Sequence, residues 1–248
     1  MIKVKLMLAV VLSALVSPAL AGEAAKLPPQ PREWLAPSVD MTPPSAPARF
    51  GDKWLKDRQL PVALAGHCAV AVGSNIFVLG GVSGREHLGT RNVYSSVAGK
   101  NGLGSWKKTS PLPAPAAFGT AVVAGKRVYF FGGASREGMH HLYKSVWSAE
   151  VKGGSLGKWR EERELPAAIM YHAAATVEGF IYVLGGFNGQ EYGTQTQYTK
   201  VNPDGSLGEW KMATAKYPHP VGRTMLAPLG SDLVVCGGVN WDSQGEHI

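Results

Sequence analysis

Paired glycines close an apolar run four times, at Val78-Leu79-Gly80-Gly81, Phe130-Phe131-Gly132-Gly133, Val183-Leu184-Gly185-Gly186 and Val235-Cys236-Gly237-Gly238, spaced by 52, 53 and 52 residues. Self-similarity at one long period is the mark of stacked repeat units, each too small to bury its apolar face alone. Other residues keep the same beat. Tryptophans stand at Trp54, Trp106, Trp159 and Trp210, the last three in the phrases Gly-Leu-Gly-Ser-Trp, Ser-Leu-Gly-Lys-Trp and Ser-Leu-Gly-Glu-Trp. Leu60-Pro61, Leu112-Pro113, Leu165-Pro166 and Tyr217-Pro218 mark a further point in each unit, and His67, Gly119, His172 and Thr224 each precede their glycine pair by 13 residues.

Within a unit, the segment after the proline alternates small and apolar residues, as in Ala69-Val70-Ala71-Val72, and a turn leads to a second run such as Ile76-Phe77-Val78-Leu79. A strand carrying Tyr94, Tyr143 or Tyr198 is expected next, and a tryptophan strand closes the unit. Four short strands per period of about fifty residues read as one blade of a β-propeller, so the fold class is all-β. No helical periodicity competes with it. With 31 glycines, 17 prolines, 45% hydrophobic and 17% charged residues, the composition is that of a turn-rich globular chain.

The Gly-Gly run, the later tyrosine, the later tryptophan and the Leu-Pro junction together resemble the kelch repeat, over roughly residues 50–238. The chain departs from the usual kelch pattern where an arginine commonly follows the Leu-Pro junction: Leu64, Ala116, Ile169 and Val221 fill that place. Channel chemistry of arginine-bearing relatives is therefore not carried over. The glycines are expected to let the backbone leave a buried strand through conformations closed to other residues. A tryptophan buried between blades would remove about 150–250 Å² of surface, worth about 4–6 kcal/mol before entropy is subtracted.

Three units are whole, from Pro61 to about Lys216; a fourth supplies its first two strands, and Gly51 to Leu60 supply one last strand with Trp54. About four blades are thus visible in 50–248, as an incomplete propeller or a ring of four. In the incomplete case, exposed edges favour self-association. Residues 22–49 are proline-rich and read as a linker or arm. Residues 1–21 read as a signal peptide: Lys3 and Lys5, an apolar run from Leu6 to Val16, then Ala19-Leu20-Ala21 as the cleavage pattern. The expected product is exported, periplasmic or secreted, with no membrane span left after cleavage. Cleavage lowers the formal charge from +7 to +5. The basic residues form no stripe interleaved with aromatics, so nucleic acid is not an expected partner. Cys68 and Cys236, the only cysteines, fall in different repeats and are expected to be buried free thiols.

Propeller ligands lie over the channel mouth, where the loops after the glycine pairs and the segments entering the inner strands share one face. The first loop set offers Arg85 and Glu86, then Arg136 and Glu137; arginine presents a planar fork of donors to carboxylates and sugar hydroxyls. The second set offers His67 and His172, with Phe118, Tyr171 and Arg223 one residue ahead of the equivalent place in units two to four. These suit stacking and hydrogen bonding, while the histidines serve equally well as partners of a neighbouring blade. His140-His141 lacks any metal-ligand motif, so no metal and no cofactor is assigned. No nucleophile elbow, phosphate loop or dinucleotide fingerprint is present, and the catalytic residues are unknown. The leading reading is an exported binding module for a glycan or a protein. The resemblance implies two enzymatic alternatives: a sialic-acid mutarotase-like sugar isomerase, testable at His67, His172, Arg223 and Arg136, and a galactose-oxidase-like copper enzyme, whose ligand set has no clear match here.

Overall fold

The computed structural model describes residues 4–6, 57–84, 88–136, 141–242 and 245–247. Three blades are complete. The first is Cys68–Val72, Asn75–Leu79, Val93–Gly99 and Lys107–Lys108; the second Thr120–Ala124, Arg127–Phe131, Val146–Lys152 and Arg160–Glu161; the third Ala173–Val177, Phe180–Leu184, Thr196–Lys200 and Lys211–Met212. All neighbours within these blades are antiparallel. A fourth blade contributes Met225–Leu229 and Asp232–Cys236, and Val4–Leu6 lies parallel to the latter, where the other blades have an antiparallel third strand.

The second strands of the second and third blades are apolar at almost every position because both of their faces are covered, as in sheets buried on two sides. Val128 and Phe130 pack with Phe77 and Leu79 of the first blade, whereas Tyr129 and Phe131 pack with Ile181 and Val183 of the third. The third blade turns Ala175, Val177 and Tyr182 toward Leu233 of the fourth. Strand alternation thus gives each blade two apolar faces, and the core is the set of seams between blades. Inner strands pack successively, Cys68–Val72 on Thr120–Ala124, that on Ala173–Val177, and that on Met225–Leu229.

The glycine pairs serve the seams. The second glycine donates its N–H to the next blade, Gly81 to the Ala116 carbonyl, Gly133 to Ile169 and Gly186 to Val221, each at 2.8 Å. The first glycine has positive φ, and a Cβ on Gly80, Gly132 or Gly185 would stand 2.3–2.5 Å from that same carbonyl oxygen. The arginine place of the usual kelch pattern is thus where the backbone carbonyl closes the seam. Gly237 keeps the same φ, +63°, but no described atom lies within 4 Å of its would-be Cβ.

Two expectations need correction. Tyr143 lies ahead of its third strand, its N–H bonded to the Gly133 carbonyl, and Trp147 takes the place of Tyr94, opposite Phe130 as Tyr94 is opposite Val78. The periodic tryptophans Trp106, Trp159 and Trp210 are half-buried, not fully buried between blades. Each instead clasps the preceding blade with its indole N–H: Trp159 donates to the Ser110 carbonyl (3.0 Å) and Trp210 to that of Arg163 (3.1 Å). Trp106 donates to the Arg58 carbonyl (3.2 Å), so residues 57–58 stand against the first blade as an outer strand of a preceding blade would. Trp54 itself lies outside the described residues. Both cysteines are free and half-buried.

Candidate functional site

Two residues before each inner strand begins, one residue is left-handed: Gly66 at φ +60°, Phe118 at +59°, Tyr171 at +58° and Arg223 at +52°. For a bulky residue this conformation costs about 1–2 kcal/mol, and such outliers gather where geometry serves function. Their backbones form a ladder around the mouth. Phe118 N–H donates to the Gly66 carbonyl (2.7 Å), Tyr171 N–H to Phe118 (2.9 Å) and Arg223 N–H to Tyr171 (2.7 Å).

The side chains climb in the same order. The Phe118 ring fills the space over Gly66, where a Cβ would meet it at 2.3 Å. The Phe118 and Tyr171 rings tilt together with centroids 5.0 Å apart, and the Arg223 guanidinium carbon stands 4.5 Å above the Tyr171 ring. A cation held over an aromatic face is steadied by the ring quadrupole. Phe118 and Tyr171 are half-buried and Arg223 is exposed, so the ladder ends in a positive group facing solvent. The repeat places these three together as the sequence anticipates; their handedness and stacking are new.

The two loop sets do share one face, because the residue before each ladder position bridges the residue after the glycine pair: Ala65 with Val82, Ala117 with Ala134, Met170 with Phe187 and Gly222 with Val239. Arg136 is exposed on that face, where Gly89 N–H donates to the Ser135 carbonyl and ties the first blade's loop to the second's. Arg85, Glu86, Glu137 and His140 lie outside the described residues. The third blade's loop is a local turn in which the Asn188 side-chain oxygen accepts from Gln190 and Glu191 N–H.

His67 and His172 part company. His67 is exposed, whereas His172 is 4% exposed and its two ring nitrogens bond to no described residue. Burial alone pushes its imidazole down to about 4, so it is neutral at pH 7. Gly132 and Gly186 lie against it, with would-be Cβ atoms 3.0 Å from its Cε1 and 2.8 Å from its Cβ.

One polar cluster was missed. Glu162, its side chain 3% exposed, accepts from Ser148 Oγ (2.6 Å) and Arg160 Nε (2.7 Å), and its other oxygen takes Leu207 N–H from the third blade (3.1 Å). Arg127 Nη2 donates to Ser148 Oγ at 2.8 Å. Thr109 Oγ1 accepts Leu156 N–H, and Asp57 Oδ2 accepts Leu103 N–H, in the same way. The signal lay three residues after each tryptophan, in Asp57, Thr109 and Glu162. Beside this seam, at the other end of the inner strands, a cleft of about 530 Å³ is lined by Lys126, Arg127, Glu150 and Asp204 among others. Among the described residues no three His, Cys, Asp or Glu side chains gather as a metal site.

Successive four-stranded antiparallel blades joined by paired glycines, with a ladder of equivalent residues at the channel mouth, define a β-propeller repeat protein. Residues 53–238 match the KLHDC2/KLHL20/DRC7 Kelch-repeats domain, and the chain belongs to the kelch-repeat family. It is similar to Kelch repeat and BTB domain-containing protein 12 of Danio rerio, 25% identical over 183 residues, 68% of this chain and 28% of that protein. Spermatocyte protein spe-26 of Caenorhabditis elegans is 26% identical over 186 residues, 74% of this chain and 31% of the relative. Kelch-like protein 33 of Homo sapiens is 30% identical over 121 residues, 49% and 21% respectively. The chain thus spans under a third of the length of these relatives.

Proposed function

We propose that this propeller is a protein-binding module whose contact surface is the channel-mouth face, with the Phe118–Tyr171–Arg223 ladder as its anchor. The single observation behind the proposal is that three bulky residues hold left-handed backbone at equivalent places and end in an exposed guanidinium over a tyrosine ring. Such a ladder suits a peptide segment that sets an apolar side chain against the aromatic edge and a carboxylate on Arg223, since guanidinium pairs with carboxylate through two parallel donors. Kinship with kelch-repeat proteins supports the same class. An acidic glycan offers the carboxylate too, and is the second reading because the same ring and guanidinium face it.

The catalytic alternatives draw less support. His172, one of the residues a mutarotase would use, is packed away from solvent and its ring nitrogens bond to no described residue. Export is part of the proposal and rests on Lys3, Lys5, the run from Leu6 to Val16 and Ala19-Leu20-Ala21. N-terminal sequencing of the protein made in its own cell tests it: a start at Gly22 supports export, and an intact Met1 sinks it.

The binding test is calorimetric titration with panels of acidic and neutral peptides and of acidic and neutral glycans. Acidic peptides should bind, with Arg223→Ala weakening them at least tenfold and Tyr171→Ala several-fold. Preference for acidic glycans with the same losses would move the partner to the second reading. Binding indifferent to both substitutions would remove the ladder from the site.

A further inference from the structure

We propose that the cleft between the second and third blades, on the face opposite the mouth, binds a small organic anion whose carboxylate or phosphate group meets Arg127 and Lys126. Both blades that form it are complete, and its volume of about 530 Å³ falls in the range of ligand pockets, about 300–1,000 Å³.

The charges around the cleft are unevenly engaged. Glu150 stands opposite Arg127 in the strand register, yet its carboxylate turns to Lys152 (3.0 Å). Asp204 accepts the N–H and Oγ–H of Ser206 at 2.9 and 2.7 Å, closing its own turn. The cations have no such commitment: among the described residues neither Lys126 nor Arg127 is in an ion pair. Arg127 is half-buried and gives Nε and Nη2 to the neutral Ser148 hydroxyl (3.3 and 2.8 Å), whose own hydrogen goes to Glu162. Glu162 is matched directly by Arg160 at 2.7 Å. Arg127 therefore brings to the cleft a charge that no carboxylate of the described residues touches. A partly buried guanidinium without a counter-charge is costly, and a carboxylate or phosphate that accepts from it removes that cost.

The chain also fixes where Arg127 lies. Its stem crosses the turn of the third blade at Gly205, where a Cβ would stand 2.4 Å from Arg127 Cδ. Beside it the Tyr129 hydroxyl donates to the Gly205 carbonyl (2.8 Å) and pins that turn to the second blade. Val123, Val201 and Pro203 add apolar lining, so the rest of the ligand meets apolar surface, which favours an organic anion over a bare ion.

The test is calorimetric titration of the full chain with citrate, with inorganic phosphate, and with glucose as a neutral counterpart. Citrate is expected to bind and glucose not. Arg127→Gln, which keeps a donor toward Ser148, should weaken citrate at least tenfold, and Lys126→Gln several-fold. Arg223→Ala, at the mouth, should leave citrate binding unchanged, which separates the cleft from the mouth and its peptides. Phosphate bound with the same losses supports the site and assigns it a phosphate group. The proposal is overturned if neither anion binds, if glucose binds as tightly, if neither cleft substitution lowers the affinity, or if only Arg223→Ala does. Lys126 is exposed, so its variant decides the matter even where Arg127→Gln melts early.

Discussion

Residue-scale behaviour turns on a few positions where backbone or burial leaves no choice. His172 is held near 4 in the folded chain against about 6.5 when unfolded. The unfolded chain therefore binds the proton first, and stability is intact above pH 6.5, falls as pH drops toward 4, and levels below it. The loss amounts to about 3 kcal/mol. Melting curves from pH 7 to 4.5 should show it, and His172→Gln should flatten that part of the profile; an equal fall in the variant would place the acid sensitivity elsewhere. Gly185 and Gly237 make a second pair. Gly185→Ala brings a Cβ to 2.3 Å from the Val221 carbonyl oxygen at φ +61°, and should cost about 2–4 kcal/mol. Gly237→Ala meets only the backbone strain, about 1 kcal/mol in dilute solution. Denaturant titration distinguishes them, and equal losses would show that a blade already covers Gly237.

At the scale of strands and loops, seams are fastened by side chains that reach across from the tryptophan-bearing segment. Glu162 joins the second blade to the third, and Glu162→Ala should cost about 3 kcal/mol, because it strands buried donors from Ser148 and Leu207. Glu162→Gln, which keeps an acceptor, should recover part of that; no difference between them would mean the charge alone matters. Much of this scale was legible from the period: Tyr94 and Tyr198 sit in third strands, and the glycine pairs close second strands. The second blade escaped because Trp147, which lies outside the shared pattern, displaced Tyr143 from the strand. The ladder was half legible. Counting placed Phe118, Tyr171 and Arg223 together, but bulky residues give no sign of positive φ, which is imposed by hydrogen bonds from one blade to the next. The burial of His172 was not legible for a related reason: a residue beside a left-handed one no longer follows simple alternation, and its ring lies against Gly132 and Gly186.

For the whole molecule, one repeated set of contacts accounts for both scaffold and site. Exposure on the inner strands rises from the third blade to the fourth: Val177 is 3% exposed and its equivalent Leu229 63%. The mouth residues Phe118, Tyr171 and Arg223 are fixed by bonds between blades and are not a mobile loop. Amide hydrogen exchange at these three residues tests it most directly, since each N–H donates across a seam. The account predicts that they exchange as slowly as the amides of the adjoining inner strands; exchange at the rate of an open loop would contradict it.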